Sequence, residues 1–165
     1  PFFCTSGVGL DAEVSYAFST SKRRGLSTYI LKAVSIGMSY TEHQYMLYYD
    51  GIEFSTDAIL ISVGNANQWG NNFFICPEAV MNDGLLDVTI IHKFPKCAIP
   101  FLLNKLLKKQ IYKSKYVDFI RCRELKVVRK TSGPVHYDGT SFIADNTLNF
   151  RIIPKGIGIM SPISI

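Results

Sequence analysis

Short runs of apolar, aromatic and β-branched residues, each closed by turn-forming residues, occupy most of this chain, and a helical period replaces them in few places. The stretch "FFCTSGVGLDAEV" (2–14) starts apolar, carries two glycines that invite close backbone approach, and sets Asp11 and Glu13 beside alternating apolar positions. It predicts a strand running into a turn and then a helix. From Ser27 to Met38 the residues Ile30, Leu31, Val34 and Met38 recur at helical spacing behind a Ser/Thr start, the mark of an amphipathic helix. "QYMLYYDGIEF" (44–54) reads as an antiparallel hairpin turned at Asp50-Gly51, and "DAILISVGNANQWG" (57–70) as a buried strand ending in residues that tolerate unusual backbone angles. "LLDVTIIHKF" (85–94) is a further strand. The span from Ala98 to Tyr112 switches to a helical period, with Pro100 tolerable only in its first turn. Strands return in "YVDFIRCRELKVVRK" (116–130), "GPVHYDGTSFIA" (133–144) and "TLNFRIIPKGIGIMS" (147–161). Many short strands with few crossover helices predict a mainly β, α+β architecture. We expect a two-sheet antiparallel β-sandwich with inserted helices rather than a doubly wound parallel sheet.

Composition narrows the class. A chain of 165 residues with 47% hydrophobic and 19% charged residues suits one folded domain with a real core and argues against long disorder. The formal net charge of +5 is uneven: Lys22, Arg23 and Arg24 form one cluster, and Lys105, Lys108, Lys109, Lys113 and Lys115 another. Such clusters admit an anionic partner, although a solvated lysine-rich helix face is the plainer reading. No RNA-recognition signature or zinc-finger spacing accompanies the charge, so nucleic acid is not the expected partner. Cys4, Cys76, Cys97 and Cys122 are widely spaced without a Cys-x-x-Cys, as expected of reduced thiols in a cytoplasmic protein. No apolar run is long enough to cross a bilayer, which leaves peripheral membrane contact as the form any membrane association would take.

Candidate chemistry is sparse when the residues are read singly. There is no nucleophile elbow, His-Glu-x-x-His, P-loop or Gly-x-Gly-x-x-Gly, and the three histidines, His43, His92 and His136, are scattered. Asp-Gly recurs in "VMNDGLLD" (80–87) and "HYDGT" (136–140), where hairpin chemistry is the simplest explanation.

Taken together and in order, "GVGLDAEV", "VGNANQWGNNFFICPEAVMNDGLLDVTII" and "VHYDGTSF" give a stronger signal. Over nearly its whole length, from Phe3 to about Ile159, the chain resembles the C-terminal domain of the soluble bacterial diacylglycerol kinases and their lipid-kinase relatives, which include sphingosine and ceramide kinases. The resemblance implies a β-sandwich like that of NAD kinases. It also implies a preceding nucleotide-binding domain with a Gly-Gly-Asp-Gly-Thr loop, which this chain lacks, and an active site in the cleft between the two. Residues 1–165 are therefore expected to be the second half of a two-domain lipid kinase, inactive alone, with ATP and its catalytic Mg²⁺ held mainly by the other half.

Carried over residue by residue, the resemblance implies a structural Mg²⁺ held by Asp83 and the carbonyls of Val80 and Leu85, a hard-oxygen set that suits this ion. Asp87 is read as an ordinary strand-edge carboxylate in preference to a partner standing behind the metal ligands. The late Asp-Gly places Asp138 and Gly139 in the cleft, with Thr140 where the family carries the Glu regarded as the base. Three readings follow. Asp138 takes over proton removal; the loose transition state needs little base help; or the protein keeps a binding role only. Asp11 and Asn65 are cleft candidates, each with a structural alternative, Asp11 as a helix cap and Asn65 as a strand closure. Phe73, Phe74, Leu102, Leu103 and Leu106 are candidates for an acyl surface or for ordinary core. The resemblance implies a lipid substrate as a further partner. From the residues themselves, the Lys105–Lys115 cluster beside these apolar side chains makes a membrane-facing amphipathic helix and peripheral membrane contact a candidate, and the exposed edge strands of a sandwich admit a second copy.

Overall fold

The computed structural model describes residues 1–21 and 26–158. Among them lie ten strands and three α-helices. In chain order these are β1 (Thr5–Gly9), α1 (Leu10–Ser19), α2 (Leu26–Ser39), β2 (His43–Tyr49), β3 (Ile52–Ala58), β4 (Leu60–Gly64) and β5 (Leu86–Ile91). Then follow α3 (Ile99–Leu107), β6 (Val117–Cys122), β7 (Glu124–Arg129), β8 (Gly133–Tyr137), β9 (Thr140–Ala144) and β10 (Thr147–Arg151). One sheet runs β6-β5-β4-β1-β8-β9 and the other β10-β7-β2-β3, with every pairing antiparallel. The expected sandwich with inserted helices is what forms.

Two single-residue crossings join the sheets. The run "DAILIS" is split at Ile59, so β3 belongs to the four-stranded sheet and β4 to the six-stranded one. Likewise "FIRCREL" is split at Arg123 between β6 and β7. Ile59 is tied at both backbone groups, its N–H donating to Ile91 O at 2.7 Å and its carbonyl accepting Leu10 N–H at 3.0 Å.

Strict alternation sorts the two cores. Ile61 and Val63 of β4 and Leu86, Val88 and Ile90 of β5 face the four-stranded sheet, where they meet Leu47, Leu125, Val127 and Phe150. On the opposite face Leu60 and Ile91 pack with Ile75, Leu102, Leu106 and Ile111 under α3 and the 65–85 loop. Leu102 and Leu106 are therefore core, and Leu103 is exposed. The polar neighbours on that face are satisfied: Trp69 Nε1–H donates to Ser62 Oγ at 3.2 Å, and Thr89 Oγ1–H donates to Ile75 O at 2.7 Å.

Several local expectations need correction. β1 enters α1 with no turn between them, because Gly9 at φ 98° bends the chain at once. The helix expected to reach Tyr112 stops at Leu107: Lys109 adopts φ 57°, and Ile111–Lys113 forms a single 3₁₀ turn. In α2, Val34 and Met38 are exposed, while the side chains of Ile30 and Leu31 and the cluster Lys22, Arg23 and Arg24 lie outside the described residues. All four cysteines are free, Cys76 and Cys122 buried and Cys4 and Cys97 exposed. No helix among the described residues is long and apolar enough to cross a membrane.

Candidate functional site

The β8–β9 hairpin turns at Asp138 (φ 45°) and Gly139 (φ 82°), the two positive φ values that a two-residue type I′ connection requires. That turn carries the Asp138 side chain to the strand beside it, where its carboxylate accepts N–H groups from Phe3 (2.6 Å), Cys4 (2.8 Å) and Thr5 (3.0 Å). The Asp138 N–H in turn donates to Thr5 O at 2.9 Å. Asn65, at the end of β4, grips the same segment from the other side. Its Nδ2–H donates to Phe3 O at 2.9 Å, and the N–H groups of Asn65 and Ala66 both donate to Cys4 O at 2.9 Å. Two predicted cleft residues thus meet across the lead-in to β1. Asp138, Gly139 and Thr140 are solvent-exposed, and Thr140 opens β9 opposite Tyr137.

Beneath this clamp lies a buried acid–imidazole pair. Asp11, in the first turn of α1, places Oδ2 3.0 Å from Nε2 of His136 in β8, and the two residues are 6% and 5% exposed. The other Asp11 oxygen accepts Ala12 N–H at 2.8 Å, which uses the helix start as an anion site. Gly7 is register partner to His136, and a Cβ there would overlap Asp11 Oδ2 and lie 2.9 Å from His136 Nε2. The pair therefore rests on bare backbone. Burial pushes the His136 pKa down, but Asp11, by charge and hydrogen bond, and then Asp138 outweigh it and leave it raised. The burial of Asp11 withholds it from ligand in this conformation, and Gly9, not Asp11, holds the helix N-cap position.

In the 80–85 loop, the Asp83 N–H donates to Val80 O at 3.2 Å, Asp83 Oδ1 accepts Leu85 N–H at 2.9 Å, and Gly84 takes φ 77°. An exposed carboxylate and two loop carbonyls make a hard-oxygen donor set compatible with Mg²⁺. No cluster of three or more His, Cys, Asp or Glu side chains among the described residues offers an alternative metal site. Asp87, read as a strand-edge carboxylate, instead lies buried in the internal strand β5. It accepts Arg121 Nε–H at 3.1 Å and Nη2–H at 2.8 Å, while Arg121 also donates to Glu78 O at 3.1 Å. Burial, only partly countered by Arg121, raises the Asp87 pKa, and its Oδ2 is buried with no hydrogen-bond partner. The correction follows from topology: β6 covers what the sequence presents as an edge.

Two concave surfaces stand apart from the hairpin tip. One, of about 540 Å³, is lined by Glu13, Tyr40, His43, Tyr45, Arg129 and Gly133 among others, and a second, of about 300 Å³, lies beside Asp87, Tyr112 and Arg121. Asp138, Gly139 and Thr140 line neither.

Residues 5–161 match the family described as the YegS C-terminal NAD kinase beta sandwich-like domain. The chain belongs to this family. A protein of Shewanella frigidimarina named "Probable lipid kinase YegS-like" is 23% identical over 98% of this chain and 52% of its own length. One of the same name from Yersinia enterocolitica is 29% identical over 80% of this chain and 47% of its own length. A solved diacylglycerol kinase of Bacillus anthracis shares the fold with a TM-score of 0.58 at 16% identity, over 94% of this chain and 51% of that one. A second solved chain from that organism gives 0.63 at 20% identity, over 88% and 50%. The chain spans about half the length of the relatives it matches.

Two features of this YegS-type domain leave no local signal in the sequence. His136 was one histidine among three, and its role follows only from β1 pairing with β8, which sets the Gly of "SGVG" opposite it. Arg129 sits at the end of β7, where its guanidinium donates to the carbonyls of Gly133 (2.7 Å), Pro134 (3.0 Å), Ala144 (2.9 Å) and Asp145 (3.1 Å), stapling one sheet to the other. A lone Arg at a strand end gives no signal for that role.

Proposed function

We propose that this YegS-type domain is the C-terminal half of an ATP-dependent lipid kinase that moves the γ-phosphate to a lipid hydroxyl, diacylglycerol or a similar alcohol. The observation that carries the reading is the family match over residues 5–161, joined to relatives named as lipid kinases. In the reaction the hydroxyl oxygen bonds to the γ-phosphorus, the bond to the β,γ-bridging oxygen breaks, ADP leaves, and the hydroxyl proton must be released.

Asp138 would receive the hydrogen bond of that hydroxyl. An ionised carboxylate offers about four lone-pair sites. Three are taken by Phe3, Cys4 and Thr5, and the exposed hairpin tip leaves the remaining one open to a partner. The geometry therefore favours orientation of the hydroxyl over base catalysis, in keeping with a loose phosphoryl transfer that depends chiefly on positioning. Asp83 with the Val80 and Leu85 carbonyls would hold a Mg²⁺ that orders the loop before β5, and ATP would be held by a nucleotide-binding half outside this chain.

The full-length protein, given ATP labelled in the γ-position and a lipid extract, should label a lipid, and Asp138→Asn should abolish the transfer. Labelling of water-soluble metabolites alone would overturn the lipid assignment. Thr140, at the position where the family resemblance calls for Glu, favours one second reading, a non-catalytic lipid-binding protein. Absence of any transfer together with retained lipid binding would establish it.

A further inference from the structure

Between Lys93 and Val117 the chain holds seven lysines and no Asp or Glu. The whole sequence has 18 basic and 13 acidic residues, so outside this stretch acids exceed bases by two, and the entire positive excess is gathered here. The fold concentrates it further. α3 buries Leu102 and Leu106 against the six-stranded sheet, and Gln110 N–H donates to Lys105 O at 2.8 Å as the chain doubles back. Lys105 Nζ reaches Lys113 O at 3.0 Å, which brings the 3₁₀ turn of Ile111–Lys113 alongside the helix.

The ion pairs among the described residues involve Lys93, with Glu42, but none of Lys96, Lys105, Lys108, Lys109, Lys113 or Lys115. Lys109 and Lys113 instead lie over the rings of Phe74 and Tyr112, at 4.4 and 5.6 Å from the centroids. Interleaved with these cations, apolar side chains point outward. Phe101 is 72% exposed, and Leu103, Leu107 and Tyr112 are also exposed, so the outer half of α3 carries large apolar groups although its inner half already has its core. Phe101 is the most exposed large hydrophobic side chain among the described residues, and it stands with Leu103, Leu107 and Tyr112 in a stretch that has no Asp or Glu, a clustering of exposed apolar groups and cations that marks an interaction surface.

We propose that the outer face of α3 and the turn that follows it dock this protein on an anionic lipid bilayer. Phe101, Leu103 and Leu107 enter the interfacial region while the lysines, on flexible apolar stems, meet lipid headgroup phosphates and carboxylates. The apolar and electrostatic contributions add, and the net acidic remainder of the domain orients this face toward the membrane. A nucleic acid would use the lysines but would leave Leu103 and Leu107 without partners, which favours the bilayer. The inference does not depend on phosphoryl transfer, because it is read by binding alone.

The test is sedimentation of the protein with vesicles of phosphatidylcholine alone or with about one-third phosphatidylserine, near physiological salt and again at high salt. We expect binding only to the phosphatidylserine vesicles, released by high salt. Each lysine removed should lower the partition coefficient about fivefold, so that Lys108→Gln with Lys109→Gln lowers it about 25-fold. Phe101→Ser with Leu107→Ser should also weaken binding, with melting temperature unchanged because both positions are exposed. Equal binding to neutral vesicles, wild-type binding by the lysine pair, or binding to a single-stranded oligonucleotide but not to vesicles would each overturn the proposal. A loss of phosphoryl transfer with vesicle binding intact would count against the kinase reading and leave this one standing.

Discussion

Replacing Gly7 by alanine is the sharpest probe of the buried pair at the heart of the domain. The added Cβ would overlap Asp11 Oδ2, lie 2.9 Å from His136 Nε2 and 3.1 Å from Ile61 O. The last contact is backbone of a central strand and cannot yield, so the side chains must part. Below the raised pKa of His136, where the pair is charged, parting its members while leaving them buried costs about 3–5 kcal/mol. The loss of a glycine's freedom in the unfolded chain returns about 0.4–1 kcal/mol. A net cost of about 2–4 kcal/mol, at roughly 2–4 °C per kcal/mol for a domain of this size, should lower the melting temperature by about 5–15 °C. Thermal unfolding of Gly7→Ala, Asp11→Ala and the double variant checks the cause as well as the size. With the carboxylate gone the closest overlap is relieved and only the His136 Nε2 and Ile61 O contacts remain, so Gly7→Ala should cost less in the Asp11→Ala background than in the wild type. An equal cost in both backgrounds would refute the steric argument.

Other outcomes follow from the same geometry. The His136 pKa is raised in the folded state, so the stability that Asp11 confers on it is fully present below the ordinary imidazole value near 6.5 and is lost as pH rises through the folded value. Urea midpoints should therefore separate wild type from His136→Gln more at about pH 5.5 than at about pH 9. Asp138→Ala removes the acceptor of three amides, and hydrogen exchange at Phe3, Cys4 and Thr5 should accelerate, with a stability loss of about 1–2 kcal/mol because the site is exposed. Unchanged exchange at those amides would show that Asp138 does not hold the segment. Millimolar Mg²⁺ should raise the melting temperature of the wild type and leave Asp83→Ala unmoved, and an equal rise in both would place the ion elsewhere.

Much was legible in the chain because the determinants were local. Alternation along "LISVG" and "LLDVTII" marks strands, Asp50-Gly51 and Asp138-Gly139 mark two-residue hairpins, and the apolar spacing after Ala98 marks a helix. Strand number and turn chemistry together settled the sandwich, since neither depends on knowing which strand meets which. The ordered set of motifs identified the family, and residues 5–161 match it.

What only tertiary structure decided concerns pairings across long separations. Local pattern cannot show that a run of alternating residues changes sheets at Ile59 or Arg123, because the residues on both sides of each crossing carry the same strand signal. Nor can it show that Asp87 is internal, since burial of a carboxylate depends on β6 arriving beside β5 some thirty residues later. Asp11 and His136, 125 positions apart, become an ion pair because β1 lies between β4 and β8 and because a glycine in β1 leaves the space. Asp138 and Asn65 come to share one segment for the same reason. Sequence sets the conformation that each short stretch prefers, through sterics and burial period, whereas side chains distant along the chain acquire partners only once strand order has been chosen by packing the whole core.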